Sequence, residues 1–231
     1  VAQDPRQTLA QTASLWFGPH PSTVVAVTGT NGKTSVSTFA RQIWEELQIA
    51  GVNLGTTGVE GAWSHPLKHT TPEPITLHRV MAEATAEGIT HVAMEASSHG
   101  LDQRRLDGVI LAAAAFTNFT QDHLDYHGTM QAYWAAKAKL FDWPGLKAAV
   151  INIDDAHGLG LVEKLKTRGL DLWTVSATGP ARLRADAIRY GLNTMSFEVH
   201  EGQTVCQIQA PGVGSYNVAN LLGVIAALRS L

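Results

Sequence analysis

The 231-residue sequence has little cysteine, little charge and no long apolar run, and each shortage excludes a class of protein. Cys206 is the single cysteine, which excludes an internal disulfide framework and a multi-cysteine zinc site. We expect it to be an ordinary strand residue. Charged residues make up 16% of the chain and the net charge is −3, so no broad basic surface for nucleic acid is predicted. No stretch has the length of a membrane span and no signal peptide is visible, so neither a span nor export is expected.

The sequence does have a 45% hydrophobic content and an alternation of strand and helix patterns. Candidate strands lie at residues 24–28, 52–57, 91–94, 111–116 and 148–151, and amphipathic helical patterns follow most of them. Repeated strand–helix units predict an α/β fold of the P-loop type, with a mostly parallel sheet flanked by helices. Four short strand candidates then predict a small antiparallel β appendage near residues 172–210. Gly51 is expected to end the first long helix, and residues 59–72 to form a polar connection.

A glycine-rich turn between a strand and a helix is the most informative motif. The apolar run 24–27 leads into Thr28-Gly29-Thr30-Asn31-Gly32-Lys33-Thr34. The two glycines let the backbone approach a ligand, so that successive N–H groups and the helix N-terminus can face phosphate oxygens. Lys33 can reach the β- and γ-phosphates, and the Thr34 hydroxyl can bind Mg²⁺. Val27 stands where the standard pattern has its first glycine, so this loop is a shortened variant.

Glu95 directly follows a candidate strand, at the edge where the fold would place chemistry. A carboxylate there can hold Mg²⁺ beside the phosphates, or it can pair with a lysine or arginine. The segment 117–128 follows the next strand and carries two Asp and two His within six positions. It suits either metal binding and acid–base chemistry or a polar turn with a helix cap. Its spacing matches no common zinc signature.

Lys137 lies in the middle of an apolar helical stripe, whereas Lys139 projects to the opposite side. A lysine directed at a core must be paired, neutral or modified, unless it extends along its stem to solvent. An amine whose pKa is lowered by burial is also a better nucleophile. It could take up CO₂ and become a carbamate, which is an anionic metal ligand.

Several other polar residues admit a structural or a functional interpretation. Thr71 can cap a helix that begins at Pro72, and the Thr70–Thr71 pair can also bind a substrate oxygen. Ser97-Ser98-His99-Gly100 lacks the elbow motif of serine hydrolases. Gln103 and Arg105 either bind a carboxylate or phosphate or are ordinary surface groups. Asn217 and Asn220 either cap the last helix or read a base edge through their amides.

Taken together, the motifs resemble the Mur ligases. The matching segments are the phosphate loop, Met94–Leu101, Asp122–Gly128, Lys137 with its helix, and Asn217-Val218-Ala219-Asn220. The resemblance covers nearly the whole chain from about residue 22. His69 departs from the family, which often has Asn at this position.

The resemblance implies a bacterial, cytoplasmic, ATP-dependent ligase of peptidoglycan synthesis. Such an enzyme joins a diamino acid, meso-diaminopimelate or L-lysine, to UDP-MurNAc-L-Ala-D-Glu through an acyl phosphate. ATP would be held by Gly29, Thr30, Asn31, Gly32, Lys33, Thr34 and Ser35, with Asn217 and Asn220 on the adenine side. The residues that would bind Mg²⁺ are Thr34, Glu95, His123 and Lys137 as a carbamate. Those that would contact the muramoyl substrate are Thr70, Thr71, Ser97, Gln103 and Arg105. Lys33, Lys137 and His123 would be catalytic.

The resemblance also implies a domain organisation. Residues 1–22 are expected to be the tail of an N-terminal domain with its linker, and residues 23–231 the central ATP-binding domain. The domain that selects the amino acid would lie outside this chain, so the 231 residues alone are expected to bind ATP weakly at most and not to ligate. Two alternatives stay open, namely a nucleotide-binding regulatory or assembly module and another Mur-type or folylpolyglutamate-type ligase.

Overall fold

Ten strands lie in the part of the chain that the structure, a computed structural model, describes, namely residues 2–212 and 214–231. The strands are β1 Thr23–Thr28, β2 Gly51–Gly55, β3 Gly58–Gly61, β4 His91–Glu95, β5 Ala113–Phe116, β6 Ala148–Asn152, β7 Asp171–Ser176, β8 Leu183–Tyr190, β9 Thr194–Glu201 and β10 Thr204–Pro211. They form one sheet in the order β10-β9-β8-β7-β6-β5-β1-β4-β2-β3. The strands from β2 to β8 along this order are parallel, and antiparallel β3, β9 and β10 complete the sheet.

Eight α-helices accompany these strands in the described ranges. They are α1 Pro5–Phe17, α2 Lys33–Glu46, α3 Pro74–Ala86, α4 Ser98–Asp102, α5 Leu124–His127, α6 Met130–Ala138, α7 Ala156–Leu165 and α8 Ser215–Arg229. A 3₁₀ turn, Lys139–Asp142, extends α6. None of these helices has the length and apolar character that crossing a bilayer requires. The predicted fold class, an α/β P-loop-type sheet flanked by helices, is confirmed.

The core consists of two apolar layers, one on each face of the sheet. Val24 and Ala26 of β1 face a layer that includes α3, α6 and α7, whereas Val25 and Val27 face the layer formed by α2 and α8. β1 is therefore buried on both faces, which explains its continuous β-branched run. Because both faces are covered by helices, the sheet's carboxyl edge is where polar loops can gather.

The register of the central strands decides which loops meet. Val27 of β1 pairs with Glu95 of β4, and Thr28 pairs with Phe116 of β5. The segments that follow β1, β4 and β5 consequently leave the sheet side by side. This is the edge at which ligands bind in open parallel sheets.

Three features differ from the sequence-based expectations. Gly51 begins β2 instead of ending α2, which stops at Glu46 before Gln48 takes a positive φ of 56°. The expected polar connection 59–72 contains most of β3, which pairs with β2 in a hairpin. The Asp171–Ser176 strand of the predicted appendage is parallel to β6, and β8 to β10 continue the main sheet without a break.

The N-terminal helix α1 packs against α3. Asp4 caps α1 and forms an ion pair with Arg104, and the Ser14 hydroxyl donates to the Gly108 carbonyl at 3.1 Å. Cys206 lies exposed on β10, as expected for an ordinary strand residue. α1 is thus joined to the body of the fold by polar contacts as well as by packing.

Candidate active site

The glycine-rich turn after β1 adopts the conformation that its sequence predicts. Gly29 and Gly32 have φ values of 147° and 88°, in the region that favours glycine. A Cβ atom at Gly29 would collide with the Thr117 hydroxyl, and one at Gly32 would collide with the Asn220 side chain. α2 begins directly after Gly32 and no side chain caps it. Its N-terminal turn is therefore available to an anion.

Residues that follow β5 hold this turn in place. Asn118 pairs with the backbone of Asn31, since its Oδ1 accepts from Asn31 N at 2.9 Å and its Nδ2 donates to Asn31 O at 3.1 Å. Thr30 N donates to the Asn118 carbonyl at 2.8 Å, and the Thr30 hydroxyl lies 3.2 Å from the Tyr133 hydroxyl. The loop is thus fixed by β5 and α6, and Asn118 and Tyr133 are structural residues that the sequence analysis did not single out.

Two lysines converge on the turn. The Nζ of Lys33 donates to the carbonyls of Gly29 and Thr30, each at 2.9 Å, and the Nζ of Lys137 donates to the same Gly29 oxygen at 2.6 Å. Lys137 is 1% exposed and its amine lies 4.6 Å from the centre of the Tyr133 ring. Its predicted burial is confirmed, and extension to solvent is excluded.

Burial shifts the pKa of both amines. Desolvation, together with the nearby positive charge of Lys33, lowers the pKa of Lys137 to about 7. Desolvation also lowers the pKa of Lys33, and Glu95 partly opposes that shift. Lys139, by contrast, is at the surface and pairs with Asp102 at 2.8 Å. Lys137 is therefore the amine whose uncharged form is easily reached near neutral pH.

Glu95 ends β4 and is 1% exposed, with only neutral donors around its carboxylate. Oε1 accepts from the Thr34 hydroxyl at 3.0 Å and from Thr56 N at 2.9 Å, and Oε2 accepts from the Thr56 hydroxyl at 3.3 Å. Within the described ranges, no lysine or arginine forms an ion pair with it, so the salt-bridge interpretation is wrong. Thr56 was missed, and its position just beyond the end of a strand was the signal that could have found it.

The segment after β5 places His123 in the cavity that Lys33, Glu95 and Lys137 also line. His123 has a positive φ of 51° at the start of α5, and its ring is about half exposed beside the Asp122 carboxylate at 3.5 Å. Neither Asp122 nor His123 caps a helix with its side chain; Thr129 caps α6 instead. The ring of His99 packs against that of His123, at 4.9 Å between centroids.

The segment between β3 and α3, together with α4 and its flanking residues, forms the wall of this cavity opposite the glycine-rich turn. The Thr70 hydroxyl lies 3.0 Å from the Thr56 hydroxyl, and Ser97 caps α4 by accepting from Gly100 N at 3.0 Å. Arg105 donates to the Thr71 carbonyl at 2.7 Å and to the Gln103 side chain. Arg105 and Gln103 therefore act together and are not independent surface groups.

The expected helix cap at Thr71 is wrong. Glu73 caps α3 and Pro74 is its first residue, one Pro later than predicted. The buried Thr71 hydroxyl instead donates to the Glu95 carbonyl at 2.8 Å and accepts from Ser97 N at 3.0 Å. It therefore joins the segment before α3 to the end of β4.

One cavity of about 430 Å³ brings most of the predicted site residues together. Its lining includes Thr30, Asn31, Gly32, Lys33, Thr34, Thr70, Thr71, Glu95, Ser97, Arg105, His123 and Lys137. Thr56, His69, Ser98 and His99 also line it. Of the other predicted residues, Gly29 contacts the cavity's lysines through its carbonyl, Gln103 contacts Arg105, and Ser35 lies in the first turn of α2.

The two asparagines of α8 lie apart from this cavity. Asn220 lines a separate cavity of about 120 Å³, next to Thr117, Asn118 and Asn152, and approaches Gly32. Asn217 lies one turn earlier, near Gly212. Gly214 is the N-cap residue of α8, so neither asparagine is its N-cap residue.

Comparison with known proteins decides the family. The Mur ligase middle domain matches residues 27–228. The chain belongs to the Mur ligase family.

Two curated relatives of this Mur ligase domain share one name. UDP-N-acetylmuramoyl-L-alanyl-D-glutamate--2,6-diaminopimelate ligases of Rhizobium meliloti and Acidovorax sp. are 46% and 47% identical over 95% of this chain. A solved structure titled with the same ligase name has a TM-score of 0.91 at 34% identity over 99% of the chain. The chain spans about half the length of these proteins, 46% of the two sequences and 48% of the solved chain.

A more distant neighbour shares the fold. The apo form of L. casei FPGS has a TM-score of 0.79, with 13% identity over the whole chain. This likeness shows a common architecture and nothing about the substrate.

Proposed function

We propose that this chain is the ATP-binding part of a MurE-type ligase, a UDP-N-acetylmuramoyl-tripeptide synthetase. It would use ATP to join a diamino acid to UDP-MurNAc-L-Ala-D-Glu in peptidoglycan synthesis. The names of the relatives favour diaminopimelate over L-lysine as the added residue. The observation that carries the proposal is the single cavity in which Lys33, Glu95 and Lys137 face Arg105.

The phosphate end of the cavity suits a triphosphate. The uncapped turn of α2 offers backbone N–H groups, and Gly29 and Gly32 leave no Cβ atom between the loop and its supports. The Lys33 amine is already held over the loop by two carbonyls. We propose that it exchanges these carbonyls for β- and γ-phosphate oxygens, with Ser35 and Asn31 completing the cradle.

The donor set also fits Mg²⁺. Magnesium in nucleotide sites uses one or two protein oxygens together with phosphate oxygens and water. Glu95 is a buried carboxylate bonded to the Thr34 hydroxyl, and His123 lines the same cavity. Across residues 2–212 and 214–231, no three His, Cys, Asp or Glu side chains form a metal site. Phosphate oxygens and water would supply further ligands. The ion would neutralise charge on the transferring phosphoryl group.

A carbamate on Lys137 would relieve the repulsion between two amines that share one carbonyl. The uncharged amine attacks CO₂, forms a C–N bond and releases one proton, which leaves a single negative charge. The low pKa of Lys137 makes the uncharged form accessible, and Lys33 then faces an anion instead of a cation. The new carboxylate would supply further oxygen ligands to Mg²⁺.

The opposite wall suits the muramoyl peptide. Arg105 carries a fixed positive charge, and Thr70, Thr71 and Ser97 add hydroxyls, with Gln103 behind Arg105. The terminal substrate carboxylate would accept the γ-phosphoryl group of ATP, and ADP would leave. The uncharged amine of the diamino acid would then attack the acyl carbon, lose a proton and release phosphate as the amide forms. Lys33 would offset the negative charge that develops in both steps.

The nucleoside and domain assignments follow from the same proposal. Asn220 and Asn217 would contact the adenine part of ATP, because Asn220 lines a cavity and its side chain lies next to Gly32 of the glycine-rich turn. Residues 1–22 would be the tail of an N-terminal domain with its linker, and residues 23–231 the central domain.

Lys33→Ala in the full-length protein tests the function. We expect UDP-MurNAc-dipeptide- and diaminopimelate-dependent phosphate release to fall at least about a hundredfold, since both charge neutralisation and positioning are lost. Lys166→Ala at the surface is the matched control and should retain the wild-type rate. Circular dichroism and thermal unfolding must show that both variants are folded.

Two outcomes would refute the proposal. An unchanged biological role of a folded Lys33→Ala protein would favour a nucleotide-binding assembly or regulatory module. Turnover with a folate substrate and none with UDP-MurNAc-dipeptide would favour a folylpolyglutamate-type ligase.

A further inference from the structure

A line of hydrogen bonds runs from the wall of the cavity to the protein surface. Arg105 donates from Nε and Nη2 to the Gln103 Oε1, at 3.0 and 2.8 Å. Gln103 donates from Nε2 to the Tyr126 hydroxyl at 3.0 Å. Tyr126 donates to Asp102 Oδ2 at 3.1 Å, and Asp102 Oδ1 accepts from Lys139 Nζ at 2.8 Å. The line joins α4, α5 and the turn after α6.

The donor and acceptor roles along this line are determined at each position. An ionised Asp102 can only accept, and its hydrogen bond to Lys139 keeps its pKa below the usual value. The Tyr126 hydroxyl therefore donates to Asp102 and is left to accept from Gln103. Because Gln103 must donate there with its NH₂ group, its carbonyl oxygen faces Arg105. Tyr126 and the donor-only guanidinium of Arg105 thus hold the Gln103 amide in one orientation from its two ends.

The Gln103 amide in turn fixes the guanidinium of Arg105. Two N–H groups on one edge of the guanidinium share the Gln103 oxygen, and Nη1 donates to the Thr71 carbonyl at 2.7 Å. A guanidinium has five N–H donors, so two remain for a ligand in the cavity that Arg105 lines. Held on two sides, these donors present a fixed fork to an oxyanion.

Tyr126 also belongs to the short helix α5, which follows His123 directly. Its ring packs against His99, with centroids 4.1 Å apart, and against His127 at 4.7 Å. The same residue therefore touches the α4 wall and the segment that carries His123. Movement of either part would disturb the hydrogen bond to Gln103.

We propose that Tyr126 is a positioning residue that acts through Gln103 to hold Arg105 for a carboxylate or phosphate oxygen of the muramoyl substrate. This inference rests on the proposed function and adds to it a residue outside the cavity lining. Tyr126 is 38% exposed, so removal of its hydroxyl leaves the surrounding core unchanged.

Tyr126→Phe in the full-length protein is the central test. Loss of the hydroxyl removes the acceptor of the Gln103 NH₂ group. The amide then stays bonded to Arg105 but is no longer held at its other end, so the Arg105 fork is held less firmly. We expect the KM for UDP-MurNAc-dipeptide to rise about threefold to tenfold, with KM for ATP and kcat within about twofold of wild type. Direct calorimetric binding of the muramoyl substrate should weaken by the same factor.

A double-mutant cycle shows whether Tyr126 acts through Gln103. Gln103→Leu should raise the same KM at least as much as Tyr126→Phe, and the double variant should be no worse than Gln103→Leu alone. Tyr190→Phe, on an exposed part of β8, is the matched control and should behave as wild type.

The outcomes separate this inference from the proposed function. A wild-type muramoyl KM in Tyr126→Phe, or additive effects in the cycle, overturns the role of Tyr126 while ligation stands. If Arg105→Lys also leaves that KM unchanged, the placement of the substrate at this wall is overturned, and the role of Tyr126 with it. Absence of ligation in the wild-type protein overturns the proposed function itself.

Discussion

Lys33 and Lys137 donate hydrogen bonds to one oxygen, the carbonyl of Gly29, although 104 positions separate them in the sequence. The two amines come from the start of α2 and from the last turn of α6. A single carbonyl cannot balance two positive charges in a buried site. The arrangement therefore favours either an uncharged Lys137 or its conversion to an anion.

The first prediction concerns that conversion. We expect the full-length protein, equilibrated with ¹³C-labelled CO₂ near pH 8, to show a carbamate ¹³C resonance that disappears in Lys137→Met. Methionine fills a similar volume without an amine, so packing is largely kept. Lys166→Met removes an exposed lysine and should leave the resonance unchanged. A resonance of equal intensity in Lys137→Met would refute carbamylation at this position, as would its absence at saturating CO₂.

The second prediction concerns Asn118, whose amide pairs with both backbone groups of Asn31. Asn118→Asp keeps the shape but loses the donor to Asn31 O, and it adds a negative charge beside the phosphate loop. We expect the KM for ATP to rise about tenfold or more, with little change in the free energy of unfolding. Steady-state kinetics at varied ATP measure this. Asn193→Asp, in an exposed turn, is the control, and an equal effect there would point to a general charge effect.

Sequence reasoning located the groups that are tied to recognisable local patterns. The conformation of the glycine-rich turn was predictable because a buried strand, two glycines and Lys-Thr occur in a fixed order. The burial of Lys137 was predictable because its position falls within the apolar stripe of α6. Glu95 was predictable because it follows an apolar run at the edge where parallel strands end.

What the sequence could not provide depends on tertiary pairing. β3 is short and begins and ends with glycine, so no periodicity reveals it before it pairs with β2. The parallel orientation of β7 follows from its docking on β6 and leaves no trace in its own residues. Thr71 and Glu73 both precede a proline, and only the buried position of Thr71 shows that its hydroxyl serves Glu95 and Ser97 instead of a helix.

The third prediction concerns Gly55, at the end of β2. A Cβ atom there would occupy the space of the Glu95 carboxylate. Gly55→Ala should displace that carboxylate from Thr34 and Thr56, which costs about 1 to 3 kcal/mol of stability and reduces ligation at least about tenfold. The Mg²⁺ concentration for half-maximal activity should also rise.

The control for Gly55→Ala is Gly160→Ala. Gly160 lies inside α7 and an added Cβ atom meets nothing within 4 Å, so alanine should keep activity and stabilise the helix by about 0.5 to 1 kcal/mol. Wild-type Mg²⁺ dependence and activity in Gly55→Ala would show that Glu95 has no role at the metal.

The fourth prediction concerns the pH dependence of stability and the contact between His20, which follows α1, and His78 of α3. His78 Nε2 lies 2.9 Å from the Asp107 carbonyl, which only accepts, so its Nδ1 must accept from His20 Nε2 at 3.0 Å. Protonation of His78 places two N–H groups against each other. Burial lowers the pKa of both residues, that of His20 to about 4 with a further contribution from the neighbouring His78.

The sign of the effect follows from these shifts. Between pH 6.5 and about 4 the unfolded chain binds more protons than the folded one, so stability rises with pH and falls on acidification. His20→Asn should therefore weaken the pH dependence of the unfolding free energy. Allowing for the partial exposure of His20, we expect the loss between pH 7 and pH 5 to shrink by about 1 kcal/mol. Urea titrations at the two pH values measure this, with His65→Asn as the control. Parallel pH profiles for wild type and His20→Asn would exclude this pair as an acid-sensitive contact.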